Sequence, residues 1–102
     1  MLEKRPGEGP HEVVVTFRLP PEVRAGRISV AGDFNDWSAD ALEMQRDDRG
    51  FFAVVTLRSG RAYRFRYLID GERWENDWAA DAYVPNQFGG DDSVIDLTQP
   101  AD

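Results

Sequence analysis

The chain has 102 residues, enough for one domain with one core and too few for a second domain of ordinary size. A formal net charge of -7 and a pI near 4.6 set its summed field against nucleic acid and against anionic membrane surfaces, which favours a neutral or basic partner. Cysteine is absent, which excludes a disulfide framework, a thiolate metal site and a cysteine nucleophile, and leaves the redox compartment open.

Residues 1–10 hold two prolines, two glycines and four charges and nothing to bury, and read as a mobile leader. No apolar run in the sequence suits a signal peptide or a membrane span, so a soluble, cytoplasmic protein is the default expectation. The folded part is expected to run from residue 11 to residue 98. From Glu12 to Leu19, Val13, Val15, Phe17 and Leu19 recur at every second position, the period of a strand with one buried face. Pro20-Pro21 ends it, because proline offers the ladder no donor. A second strand spans Arg27 to Ala31 with Ile28 and Val30 inward. Asp33-Phe34-Asn35-Asp36-Trp37-Ser38 then reads as a loop, rich in side chains that cap and turn and carrying an aromatic residue. Ala41 to Gln45 is a weak edge-strand candidate, and Phe51 to Leu57, partly apolar on both faces, fits a central strand.

Tyr63 to Trp78 organises the rest. Tyr63, Phe65, Tyr67 and Ile69 alternate with Arg64, Arg66 and Leu68, so one face of the strand serves the core and the other is displayed. Asp70-Gly71 supplies the turn, and the return leg carries Trp74. Ala79 to Gly90, with Pro85, Asn86, Gly89 and Gly90, reads as a loop of about a dozen residues, a length that usually accompanies function. Ser93 to Leu97 is the last strand, and 99–102 are expected to fray. About seven short strands with turn signals roughly every ten residues predict an all-β, immunoglobulin-like antiparallel sandwich.

Val30 to Ser38, Tyr63 to Gly71, Trp74 and Phe88 to Ile95, in that order, resemble the glycogen-binding module of the AMP-activated protein kinase beta subunit and the early-set domain at the N-terminus of isoamylases and branching enzymes. Both belong to carbohydrate-binding module family 48. The resemblance covers roughly residues 12 to 97 and implies a sandwich that binds α-1,4-linked glucans, as polysaccharide or maltooligosaccharide, without hydrolysing them. It also implies site residues: sugar-stacking tryptophans at Trp37 and Trp74, a basic residue at Arg66 where the kinase module has lysine, an apolar loop residue at Phe88, and a hydroxyl-binding residue at Asp92. Asp92 stands where the kinase module has asparagine, losing an amide donor and keeping acceptors. Trp78 stands where proline is common in the family.

The chemistry is coherent. A glucose ring offers C–H groups on its faces and hydroxyls at its rim, so a flat aromatic covers the face and polar groups meet the edge. Trp37 and Trp74 supply faces; Arg66 donates through its planar fork, and Asp92 and Asn86 accept or bridge. Each residue also has a plainer reading. A tryptophan in a sandwich commonly fills a core or a corner, Phe88 beside two glycines can plug its loop, and Arg64 and Arg66 can be a solvated face. The same aromatics fit a second function, an apolar patch that docks a protein partner or a second copy.

An enzyme is not expected. Glu72, Glu75, Asp77 and Asp81 offer carboxyl groups, but nothing singles out a pair, and the one histidine, His11, lies at the domain's edge. Asp33, Asn35, Asp36 and Asp40 lack the ligand spacing and glycine of a calcium loop. No metal or cofactor is expected.

Overall fold

The structure, a computed structural model, describes residues 2–87 and 89–98. Among the described residues nine strands follow in chain order: β1 (Leu2–Pro6), β2 (Glu12–Leu19), β3 (Ile28–Gly32), β4 (Gln45–Asp47), β5 (Gly50–Arg58), β6 (Ala62–Ile69), β7 (Arg73–Glu75), β8 (Ala82–Pro85) and β9 (Asp91–Asp96). They form two antiparallel sheets, β1-β2-β5-β4 and β3-β6-β9-β8, with β7 paired to β6 beyond the end of β9. The fold is an immunoglobulin-like β-sandwich, and among the described residues no helix is long and apolar enough to cross a membrane.

The two-residue period sets the core. Val13, Val15, Phe17 and Leu19 from β2 meet Tyr63, Phe65, Tyr67 and Ile69 from β6, all buried. Phe17 sits at the centre, its ring centroid 5.1 Å from Phe65 and 6.4 Å from Tyr67, both edge-on as aromatic quadrupoles prefer. The Asp-Gly turn forms as its chemistry requires: Asp70 and Gly71 both take positive φ, at 54° and 71°, and Glu72 N–H donates to the Ile69 carbonyl.

Three expectations need correction. The leader contains a strand: Leu2–Pro6 pairs with Phe17–Val13 of β2. Its side chains are nearly all exposed, so no hydrophobic period betrayed it, and the pairing is supplied by the open edge of β2. Within the supposed loop from Ala79 to Gly90, Ala82–Pro85 forms β8 on the edge of β9, too short to show a period. The weak edge strand near Ala41 divides its pairing between the sheets. Val30 N–H donates to Leu42 O and Met44 N–H to Ile28 O, which joins this segment to β3, and the following Gln45–Asp47 pairs with β5. The tail at 99–102 lies outside the described residues.

The loop that leaves β3 is pressed against β6. A Cβ added to Gly32 would stand 2.3 Å from the Arg64 carbonyl oxygen and 2.9 Å from Phe65 Cβ, so nothing larger than glycine fits this crossing. Gly32→Ala is therefore expected to cost roughly 1–3 kcal/mol by overpacking, read as a fall of at least about 5 °C in Tm by circular dichroism. An unchanged Tm would show that the crossing is looser than this.

Candidate functional site

The outer face of the second sheet carries the site. Because strand side chains alternate, Arg64, Arg66 and Leu68 of β6 point away from the core, and the register sets Ala31 opposite Arg66, Val94 opposite Arg64 and Trp74 opposite Leu68. Asp92, two residues before Val94, shares that face. Leu68 is nonetheless buried, so this face is partly covered where β7 lies. Above the sheet stand two walls: the loop after β3, bearing Trp37, and the turn after β8, where Pro85, Asn86 and Gln87 follow one another. Between them lies a cavity of about 860 Å³, lined by Trp37 and Trp74, by Arg64, Arg66 and Asp92 from the sheet, and by Asp33 and the Pro85–Gln87 turn. That volume falls in the range of ligand-binding clefts.

The Trp37 wall is built from local hydrogen bonds. Asp33–Asn35 makes a short 3-10 turn, in which Asn35 Oδ1 accepts from Gly32 N–H and its Nδ2 donates to the Val30 carbonyl, both at 3.0 Å. Phe34 pins the loop to the core, its ring 5.8 Å from that of Phe17 and 6.4 Å from that of Tyr63. Asp36 and Trp37 then take left-handed conformations, φ 55° and 58°, which bring the half-buried indole to the cavity. Trp74 reaches it from the sheet side, 43% exposed on β7.

The polar floor is held by a few shared atoms. The Arg66 guanidinium donates to the Asp91 carbonyl from Nη2 at 2.6 Å and from Nε at 3.2 Å, and its Nε is 3.2 Å from Asp92 Oδ1. Asn86 Nδ2 donates to that same Oδ1 at 3.2 Å, and Asn76 Nδ2 to the Asp91 carbonyl at 2.7 Å. Asp92 is thus a buried carboxylate whose Oδ1 is shared by Arg66 and Asn86, which orients both at the cavity. Arg64 is looser, half exposed, with Nη1 3.8 Å from Asp92 Oδ2.

Behind the floor is a buried network. Asp77, 1% exposed, accepts from the Tyr67 hydroxyl at 2.5 Å and from Ala79 N–H at 2.7 Å, and its own N–H donates to Ser93 Oγ at 2.9 Å. The Tyr83 hydroxyl donates to its carbonyl. Ser93 Oγ in turn donates to Asn76 Oδ1, linking the network to the Asp91 carbonyl under Arg66. Burial, then the charge of Asp77 and its hydrogen bond, push the Tyr67 phenol well above the ordinary tyrosine range.

Four of the five expected site residues, Trp37, Arg66, Trp74 and Asp92, meet at one cavity. Phe88, the fifth, lies outside the described residues. Asp33, Arg64, Pro85 and Gln87 line the cavity as well, beyond the site residues that the sequence singles out. Arg64 shares the outward parity of Arg66, a usable signal; Asp33 gave none beyond its spacing from Trp37. Trp78, 64% exposed, does not line the cavity. Nor do the acidic side chains of the Trp37 loop form an ion cage. Asp33 accepts from Trp37 and Arg64, Asp40 pairs with Arg27, and among the described residues no acidic or histidine cluster could hold a metal.

The family described as the glycogen recognition site of AMP-activated protein kinase matches residues 12–101. The chain belongs to this family. Among curated proteins it is similar to the SNF1 protein kinase subunit beta-2 of Saccharomyces cerevisiae, 28% identical over 102 residues. That match takes in 95% of this chain and 24% of the yeast subunit, so the chain spans about a quarter of that relative's length. In this glycogen-recognition family member the matched segment contains both cavity tryptophans and every polar group of the cavity floor.

Proposed function

We propose that this domain binds α-1,4-linked glucans of the glycogen or starch type and does not cleave them. The observation that carries the reading is the shared cavity: two indoles from different elements, Trp37 and Trp74, border one cleft with a guanidinium on its floor. Indole faces cover sugar C–H surfaces, and Arg66, fixed by Asp91 and Asp92, presents its remaining N–H groups to hydroxyls. Asp33 and Asp92, the carboxylates among the described lining residues, both accept from protein donors, which supports a binding role. Family membership supports glycogen as the polymer.

The test is native electrophoresis through gels with and without glycogen. The protein is expected to be retarded by the polysaccharide and released by maltoheptaose. Mobility unchanged by glycogen would overturn the reading.

The yeast relative is named as a kinase subunit, which supports a place for this domain within a larger assembly. The exposed Trp78, outside the cleft, favours a protein contact at that separate point. Trp78→Ala is accordingly expected to leave the calorimetric affinity for maltoheptaose within about twofold of wild type, since exposed side chains away from a site contribute little to its binding energy. A larger loss would place Trp78 on the sugar path.

A further inference from the structure

We propose that Asp33 is the positioning residue for Trp37, an assignment that rests on the glucan-binding reading above. Its two carboxylate oxygens serve two elements: Oδ1 accepts from the Trp37 indole Nε1–H at 3.0 Å, and Oδ2 accepts from the Arg64 backbone N–H at 2.9 Å. One side chain thereby ties the loop wall of the cleft to the strand that bears Arg64 and Arg66.

The indole needs such a tie. Trp37 is a bulky residue in the left-handed region, directly after another at Asp36, a backbone arrangement that persists only where its surroundings fix it. The backbone supplies part of the restraint, through Trp37 N–H to the Gly32 carbonyl at 2.9 Å and Ser38 N–H to the Asn35 carbonyl at 3.1 Å. Neither bond sets the side-chain torsions. The Asp33 contact does, because it fixes the polar edge of the ring and so the direction in which its flat face looks. A charged acceptor strengthens that bond. Stacking on a sugar depends on this orientation, and an indole already held in place loses less freedom on binding.

The decisive experiment follows the indole N–H signals in 15N–1H spectra of the whole chain. The chain's three tryptophans give three signals, and Trp37→Phe identifies the one that belongs to Trp37. In Asp33→Ala that signal is expected to move and to exchange faster with water while the other two stay in place. Maltoheptaose affinity is expected to fall about fivefold, the order of one ordinary lost hydrogen bond, since the sugar feels the loss only through the ring's orientation. Asp33→Asn separates orientation from folding. Its carbonyl can still accept from the indole, but its amide would then face the Arg64 N–H, donor against donor, so both the signal and the affinity should recover in part. A Trp37 signal unmoved in both variants overturns the proposal, as does an affinity loss without any change in that signal. If wild type itself ignores maltoheptaose, the glucan reading falls, and the indole spectrum still decides whether Asp33 orients Trp37.

Discussion

The variant Trp37→Ala/Trp74→Ala is expected to pass through glycogen gels without retardation while its circular dichroism and Tm stay close to wild type. Stacking a planar ring on an aromatic side chain is worth roughly 1–3 kcal/mol per ring, so each single change should weaken binding about 5- to 150-fold. Together they remove the faces of the cleft and leave Arg66 to hold hydroxyls alone, against competition from water. The fold should survive because neither ring belongs to the packed core: Trp74 is 43% exposed on a three-residue strand, and Trp37 lies in a loop anchored by Phe34. Retention persisting in the double variant would move the sugar contact elsewhere. A collapse of Tm would instead make the two rings structural.

Tyr67→Phe should produce the largest change in how stability responds to alkali. The substitution leaves the buried Asp77 carboxylate without its phenol donor, at a cost of about 1–3 kcal/mol near neutral pH. The sign of the pH effect follows from the raised phenol pKa. Below the unfolded tyrosine value of about 10 the phenol is protonated in both states and its contribution is complete. As pH climbs past that value toward the folded one, the unfolded chain releases the proton first and the contribution is lost. Urea midpoints measured from pH 8 to 11 should therefore drop more steeply for wild type than for Tyr67→Phe, and the two curves should converge. Parallel curves would show that Tyr67 ionises as freely in the fold as outside it.

Much of this molecule was legible where a side chain's neighbours are fixed by its own strand. The alternation in Glu12–Leu19 and from Tyr63 to Ile69 placed the core, and Asp70-Gly71 placed the hairpin that turns Trp74 back onto the sheet. What escaped depends on partners distant in sequence. Leu2–Pro6 is a strand because β2 has an edge to offer, and Asp92 is buried because Arg66 and Asn86 converge on it. Asp77 is one acid among many in the sequence, and only the fold sets its hydroxyl partners, Tyr67 and Ser93, beside it. The family motifs locate four cavity residues and also contain Asp33, yet assign Asp33 no site role, because its contact with the Arg64 backbone spans 31 positions.

The sandwich's borders carry a consequence for crowding. The margin of β3 is occupied by Leu42–Met44, β4 is only three residues long, β8 is four residues ending in Pro85, and β1 carries Glu3, Lys4, Arg5 and Pro6. Lys4 also reaches across to Asp81 and the Asp96 carbonyl, setting a charged bridge over the β1 and β8 side. Charge, brevity and proline each discourage a strand from recruiting its counterpart in another molecule. If the proposed glucan binding gathers copies side by side at high local density, these blunted margins would let them sit as neighbours without zipping into aggregates.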